Sequence, residues 1–253
     1  MIVMIVMIFI IIISISLLLL FLLLLSLGPD FAKLASRYPC IQGMIPIGNV
    51  RIDGHKWICG LNAIKGNPVI YSFGSFGEQS FEVDLLKVRP DADINIFEIV
   101  PSRLPPQNER NPKIKYHAIG LGGYEKDNYP SNSNVKPLWE LMNSLNHTYI
   151  DILKMDIEGF EFTFLKHEPH IFHRLGQFQV ELHVKRSKGW FAKKIVEDAV
   201  YFVEKCEEYG LRLFSNEPNL HNTFRATELS FIQSKWTEWD YHKHKFHKSI
   251  KSE

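Results

Sequence analysis

The longest apolar run in the chain lies at its amino terminus, where Ile2–Leu27 contains only Ile, Val, Met, Leu and Phe apart from three serines. A helix that spans a bilayer needs about 20 apolar residues, so this run is long enough for a membrane anchor. A cleaved signal peptide is the alternative, with Ser26-Leu27-Gly28 as a small-x-small site. The run is longer than the usual apolar core of a signal peptide, about 7–15 residues, and therefore favours a transmembrane segment over residues 1–28.

Beyond an irregular lead-in over residues 29–66, short apolar runs alternate with amphipathic segments of helical period. This alternation is typical of an α/β domain, in which a mostly parallel sheet carries helices on both faces. Five βα-like strands are followed by a helix and then by two strands close together, which predicts a seven-stranded sheet ending in a hairpin-like pair. The predicted strands of that sheet are Pro68–Ser72, Ile94–Val100, Lys115–Ile119, a strand beginning at Asp151, Phe178–Val184, Leu211–Ser215 and Thr227–Gln233.

The helices predicted between these strands have apolar residues on one side. They are Glu78–Val88, Leu138–Leu145, a helix beginning at Phe160, and Trp190–Tyr209. Two short strands, Met44–Ile47 and Lys56–Cys59, are predicted within the lead-in. A single domain therefore accounts for most of the chain after the anchor.

The strand that begins at Asp151 runs directly into a group of carboxylates. Asp156, Glu158 and Glu161 follow its apolar residues, and Gly159 allows the backbone to turn before the next helix. Open α/β sheets bind ligands at the carboxyl ends of their strands. This segment is therefore the first candidate for a functional site.

The first two strands of the sheet carry two further candidates. The turn Phe73–Gly77 contains Gly74 and Gly77 and precedes a helix, where backbone amides suit a nucleoside or a carboxylate. The turn lacks a full G-x-G-x-x-G pattern, and a purely geometric role is the alternative. Glu98, in the second strand, could accept hydrogen bonds from two ribose hydroxyls or make a structural hydrogen bond or salt bridge.

Glu181 and His183 lie on one face of the fifth strand and point to the same edge of the sheet. Because a histidine titrates near neutral pH, His183 is a candidate base for removing a proton from an acceptor, with Glu181 as the other candidate. A hydrogen-bonded structural histidine is the alternative. These residues and Asp156 are the predicted catalytic groups.

Several other activities are disfavoured. The net charge of +1 gives no electrostatic case for nucleic acid. The sequence has no G-x-S-x-G elbow of a hydrolase and no H-E-x-x-H spacing, so neither hydrolysis nor a metal site is expected. Asp91-Ala92-Asp93 matches the D-x-D pattern of luminal glycosyltransferases, but it precedes its strand and so lies at the end of the sheet opposite the ligand-binding edge.

The sequence leaves the side of the membrane open. Lys33 and Arg37 follow the apolar run, which favours a cytosolic domain by the positive-inside rule. Asn146-His147-Thr148 is a glycosylation sequon, and Cys40 and Cys59 could pair in an oxidising lumen. Buried free thiols are the alternative for the cysteines.

With these residues, the chain resembles the membrane-anchored methyltransferase-like proteins related to the FkbM methyltransferases, over about residues 38–233. The resemblance implies a class I methyltransferase fold over residues 67–235, binding of S-adenosylmethionine, and methyl transfer to an oxygen or nitrogen of an unknown acceptor. A basic His/Lys-rich tail follows over residues 236–253. The motifs that carry the resemblance are Tyr38-Pro39-Cys40, Asp53-Gly54-His55-Lys56-Trp57-Ile58-Cys59, Ile70-Tyr71-Ser72-Phe73-Gly74, Leu153-Lys154-Met155-Asp156-Ile157-Glu158-Gly159-Phe160-Glu161 and Val180-Glu181-Leu182-His183.

The resemblance also implies roles for individual residues. Glu98 would hold the ribose, and Asp156 would lie beside the reacting centre. Val100 stands where relatives carry an acid before Pro-Ser, which supports the alternative of a non-catalytic, membrane-tethered binding domain with a degenerate methyltransferase fold. The remaining cofactor contacts would be Tyr71, Ser72, Phe73, Gly74 and Gly77 at the methionine end, and Ala118, Ile119 and Gly120 beside the adenine.

Overall fold

The computed structural model describes residues 33–36, 38–50, 55–124, 134–183, 191–218 and 226–235. The predicted anchor over residues 1–28 and the tail over residues 236–253 lie outside these ranges. Among the helices within them, none combines the length and the apolar character that crossing a membrane requires.

Eleven strands and four α-helices make up the described structure, together with four short 3₁₀ segments. The strands are β1 Met44–Ile47, β2 Lys56–Cys59, β3 Val69–Phe73, β4 Asp93–Phe97, β5 Ile114–His117, β6 Gly120–Leu121, β7 Val135–Lys136, β8 Ile150–Met155, β9 Leu175–His183, β10 Leu211–Pro218 and β11 Ala226–Gln233. The helices are α1 Ser80–Val88, α2 Leu138–Ser144, α3 Glu161–His167 and α4 Phe191–Glu208.

The main sheet has seven strands in the order β10-β11-β9-β8-β3-β4-β5. Five neighbouring strands of this sheet, β9, β8, β3, β4 and β5, are parallel to one another, and β11 is antiparallel to both of its neighbours. The chain builds outward from β3 through β4 to β5 and then returns to place β8 on the other side of β3. This reversal creates a crevice at the carboxyl ends of β3 and β8, where open α/β sheets bind ligands.

Alternate residues of the strands face two separate apolar layers. Leu153, Met155 and Phe178 belong to the core that α2, α3 and α4 complete. Ile152 and Ile96 belong to the opposite core, which α1 and the β1–β2 pair complete. Neighbouring residues of the acid-bearing strand therefore face opposite cores, and its apolar residues fix the register that delivers the acids to the crevice.

The lead-in is attached to the sheet through β2. Gln177, a buried residue of β9, accepts a hydrogen bond from the Cys59 backbone N–H (2.9 Å) and donates one to the Cys59 carbonyl (2.6 Å). Cys59 is also disulfide-bonded to Cys40, with 5.7 Å between the two Cα atoms. Cys40 and Cys59 are therefore paired rather than free, whereas Cys206 is a buried free thiol.

The predicted elements are present, with shifts at their ends. Both short strands of the lead-in have the predicted bounds. β4 ends at Phe97 rather than Val100, because the chain turns there into the 3₁₀ segment Pro101–Arg103. β9 begins at Leu175, three residues before the predicted start, and β10 continues to Pro218 by pairing with β11.

Candidate active site

A pocket of about 200 Å³ lies at the carboxyl ends of β3, β4 and β8. Its wall combines aromatic and aliphatic side chains with three carboxylates and one guanidinium group. This mixture is typical of a ligand site, where apolar contacts supply area and a few polar groups fix orientation. The lining residues are Phe73, Gly74, Phe76, Phe97, Glu98, Ile99, Arg103, Gly120, Leu121, Asp156, Ile157, Glu158 and Phe160.

Gly74 lies where β3, β4 and β8 come together. Its backbone N–H donates to the Phe97 carbonyl (3.1 Å), and the Asp156 N–H donates to the Phe73 carbonyl (3.0 Å). Gly74 has a φ of +76°, and a Cβ atom at this position would lie 1.6 Å from the Asp156 carbonyl oxygen. The close approach of the turn to the end of β8 therefore requires glycine.

Glu98 follows β4 directly and is buried, with 3% of its surface exposed. One carboxylate oxygen accepts a hydrogen bond from the Phe76 N–H (3.2 Å) and the other from the Val100 N–H (3.0 Å). These bonds fix the carboxylate in the pocket wall. Each oxygen keeps a lone pair for a further donor, so the structural and the ligand-binding roles of Glu98 are compatible.

Phe76 and Arg103 also line the pocket. Phe76 belongs to the predicted turn Phe73–Gly77 without having been named as a site residue, and Arg103 was not predicted. Phe76 has a φ of +49°, which is unusual for a residue other than glycine, and is 70% exposed. The Arg103 guanidinium carbon lies 4.5 Å from the centre of its ring, a cation–π contact. The sequence gives no signal for this pair, because the left-handed backbone that presents Phe76 is not visible in its residue type.

His183, at the end of β9, lies against four carboxylates. Its Nδ1 is 3.0 Å from Glu161 Oε1, and its Nε2 lies 3.6 Å from Glu181, 3.7 Å from Glu158 and 3.9 Å from Asp156. Burial alone would lower the pKa of His183, but the hydrogen bond to Glu161 and the surrounding negative charges raise it to about 9. The three predicted catalytic residues are thus brought together in one cluster with Glu158 and Glu161.

Lys56 of β2 lies on the far side of this cluster. It is 3% exposed, and its Nζ lies 2.6 Å from Glu228 Oε1. Glu228 pairs in register with Glu181 across β11 and β9. Burial would lower the pKa of Lys56, whereas the charges of Glu228, Glu181 and Asp156 raise it. One buried cation is therefore shared by two neighbouring glutamates.

The predicted cofactor residues divide into two groups. Five of them line the pocket, namely Phe73, Gly74, Glu98, Gly120 and Asp156. At position 120 the wall has room only for glycine, because Ile99 packs against it. A Cβ atom on residue 120 would lie 2.7 Å from the Cβ of Ile99.

The other five predicted cofactor residues, Tyr71, Ser72, Gly77, Ala118 and Ile119, lie outside the lining. Tyr71 is fully buried, and its hydroxyl lies 2.9 Å from Nδ1 of His147. The hydroxyl of Ser72 accepts a hydrogen bond from Lys154 within the sheet (3.4 Å). Ala118 is exposed, and its carbonyl accepts a hydrogen bond from Asn134 (3.0 Å).

The sheet order, the glycine turn after β3 and the acids after β4 and β8 together define an α/β fold of the methyltransferase type. A family model described as a methyltransferase domain matches residues 32–233. The chain therefore belongs to this methyltransferase-domain family. No curated protein matches the chain in a sequence comparison.

Solved structures with a similar fold include several methyltransferases. TrmK of M. capricolum, in complex with S-adenosylhomocysteine, is 8% identical, with a TM-score of 0.42 over 68% of this chain and 65% of its own. The antibiotic-resistance methyltransferase Kmr is 12% identical, with a TM-score of 0.40 over 76% and 100%. The mitomycin 7-O-methyltransferase MmcR is 10% identical, with a TM-score of 0.32 over 66% and 49%. The chain thus spans between half and all of the length of these structures.

Proposed function

We propose that the protein is a membrane-tethered methyltransferase, related to the FkbM methyltransferases, that transfers a methyl group from S-adenosylmethionine to an oxygen or nitrogen acceptor. The observation that carries the proposal is the pocket between β3 and β8. In a chain of the methyltransferase-domain family, this pocket joins the Gly74 turn, Glu98 and Asp156 in one wall. The tether is inferred from the apolar run Ile2–Leu27.

The residues of the pocket fit S-adenosylmethionine. Glu98 offers two fixed acceptor oxygens for the ribose hydroxyls, and Ile99 and Leu121 offer apolar contact to the adenine.

When bound, S-adenosylmethionine supplies a methyl carbon on a positively charged sulfur, which keeps the electron pair when the carbon–sulfur bond breaks. The acceptor atom forms the new bond to carbon and gives up a proton. Asp156 and Glu158 face the pocket and are placed to receive that proton. His183 and Glu181, the predicted bases, lie outside the pocket lining and behind these two carboxylates, so we assign them a positioning role instead.

The pocket wall after β4 contains an acid even though Val100 stands where relatives carry one. Its backbone N–H donates to Glu98 Oε1, so the carboxylate two residues earlier occupies the wall after β4. This contact supports the catalytic alternative over a degenerate binding domain.

Titration of the full chain with S-adenosylmethionine in a calorimeter tests the proposal. We expect saturable binding of one molecule per chain, weakened at least tenfold by Glu98→Gln, because an amide nitrogen replaces one of the two acceptor oxygens and a hydrogen bond to a charged group contributes about 1.5–3 kcal/mol. Glu109→Gln, which changes an exposed glutamate outside the pocket, is the control and should bind as the wild type does. A folded wild-type chain that shows no saturable binding would refute the proposed function.

A further inference from the structure

Three potential metal ligands converge beside the pocket. One ligand atom each of Asp156, Glu158 and His183 lies within 4.8 Å of the other two. His183 Nε2 is 3.9 Å from Asp156 Oδ1 and 3.7 Å from Glu158 Oε2. Metal–ligand bonds of about 2.0–2.2 Å place neighbouring ligand atoms about 3–3.5 Å apart, so small side-chain movements would close the site around an ion.

The imidazole of His183 is held in the orientation that a metal ligand needs. Its Nδ1 donates to Glu161 Oε1 (3.0 Å), because an ionised carboxylate can only accept. The same oxygen accepts hydrogen bonds from the backbone N–H groups of Ile157 (3.2 Å) and Gly159 (3.3 Å), which fix Glu161 in turn. A metal-bound histidine usually donates its second ring N–H to such a carboxylate, so Nε2 is the nitrogen left to face a cation, which would displace the proton that Nε2 carries in the imidazolium form.

An unpartnered buried oxygen adds independent support. Glu161 is completely buried, and its Oε2 has no hydrogen-bond partner in the described part of the chain. Its other oxygen touches His183, so this carboxylate forms the wall behind the three ligands. Buried negative charge is costly unless it is paired, and Lys56 and His183 together supply two positive charges beside five carboxylates, those of Asp156, Glu158, Glu161, Glu181 and Glu228.

We propose that Asp156, Glu158 and His183 bind one divalent cation. Two carboxylate oxygens and one imidazole suit Mn²⁺, which accepts both kinds of ligand. No metal site was expected from the sequence, which has no close-spaced ligand pair here, because the three ligands come from the end of β8, the following turn and the end of β9. With three protein ligands, the ion keeps open positions toward the pocket.

A bound cation narrows the chemical class of the methyl acceptor, and this inference rests on the proposed function. A hydroxyl group bound to a divalent cation loses its proton more readily than a free one. The site therefore favours an acceptor that carries a hydroxyl group, which would be methylated on oxygen while its proton passes to the oxygen of Asp156 or Glu158 that does not bind the ion.

Electron paramagnetic resonance of Mn²⁺ added to the full chain, without S-adenosylmethionine, tests the site directly. We expect one Mn²⁺ to bind per chain, and Glu158→Gln to weaken binding at least tenfold. The side chain of Glu158 is 77% exposed, so this variant should keep the wild-type thermal stability in the absence of metal. Glu109→Gln is the control and should bind Mn²⁺ normally.

Absence of saturable Mn²⁺ binding, or equal affinity in Glu158→Gln, would overturn the cation site. The two proposals can fail separately. Mn²⁺ binding without cofactor binding would refute the methyltransferase and leave the site in place, whereas cofactor binding without Mn²⁺ binding would remove only the site.

A second inference concerns Asn146, in the only N-x-S/T sequon of the sequence. Asn146 follows α2 with a φ of +58° and is exposed, so its side-chain amide is accessible to a large enzyme. The Cys40–Cys59 disulfide is independent evidence for an oxidising compartment, because such bonds are rare in the cytosol. We infer that the domain lies on the luminal side of the secretory pathway and carries an N-linked glycan on Asn146.

A matched pair of variants tests this inference in full-length protein expressed in eukaryotic cells. Treatment with peptide N-glycosidase F should increase the gel mobility of the wild type and of Thr148→Ser, which keeps the sequon. Thr148→Ala, which destroys it, should migrate at the deglycosylated position with or without the enzyme. A wild type that does not respond to the enzyme would overturn the inference.

Discussion

Replacing Gly74 by alanine is expected to remove binding of S-adenosylmethionine and to lower the free energy of unfolding by about 3 kcal/mol or more. The added Cβ would lie 1.6 Å from the Asp156 carbonyl oxygen, and a backbone atom cannot move aside as a flexible side chain can. The turn and the end of β8 would separate, and the pocket wall lies on both. Calorimetric titration and chemical denaturation measure the two effects.

Gly66→Ala is the control for this prediction. Gly66 has a similar φ of +69°, but a Cβ atom there meets nothing within 4 Å. Only the left-handed strain of a non-glycine residue, about 1–2 kcal/mol, should appear, and cofactor binding should be unchanged. Equal losses in the two variants would show that the approach to Asp156 is not what requires Gly74.

The second large effect is expected for Lys56→Met, which should lower the free energy of unfolding by about 3–5 kcal/mol. Methionine keeps much of the side-chain volume but removes the charge that Glu228 and Glu181 share. The two carboxylates would then face each other across β9 and β11 in a buried position. Urea denaturation followed by circular dichroism measures the change.

Two further variants separate the charge from the packing. Lys115→Met breaks an ion pair with Asp93 in which the lysine side chain is 55% exposed, so its cost should be at most about 1 kcal/mol. Adding Glu228→Gln to Lys56→Met should restore part of the loss, because one of the two unbalanced charges is gone. No recovery in the double variant would argue against a role for charge.

The order of elements could be predicted because each strand carries its own periodic signal. The acid-bearing strand shows this well, since Ile152 and Leu153 do face opposite cores. Strand ends were less certain where a polar residue interrupts the apolar pattern. Gln177 lies inside β9 and is completely buried, because its amide satisfies the backbone of Cys59 in a distant segment.

The structure brings only some of the predicted site residues to the pocket. Gly74, Glu98 and Asp156 come after β3, β4 and β8 and reach the pocket. Tyr71 and Ser72 lie inside β3, where neighbouring strands and the layers on both faces cover them. No local pattern could indicate this difference, because it depends on the residue at which each strand stops.

Lys56 was missed as a site residue for a related reason, since its partners are more than a hundred residues away in sequence. Its position also makes the lead-in part of the domain's interior. A shortened chain that begins after β2 would still contain all seven strands of the main sheet and every pocket residue. It would nevertheless lack the lysine that Glu181 and Glu228 share, so the segment closest to the proposed membrane anchor completes the charge balance behind the candidate active site.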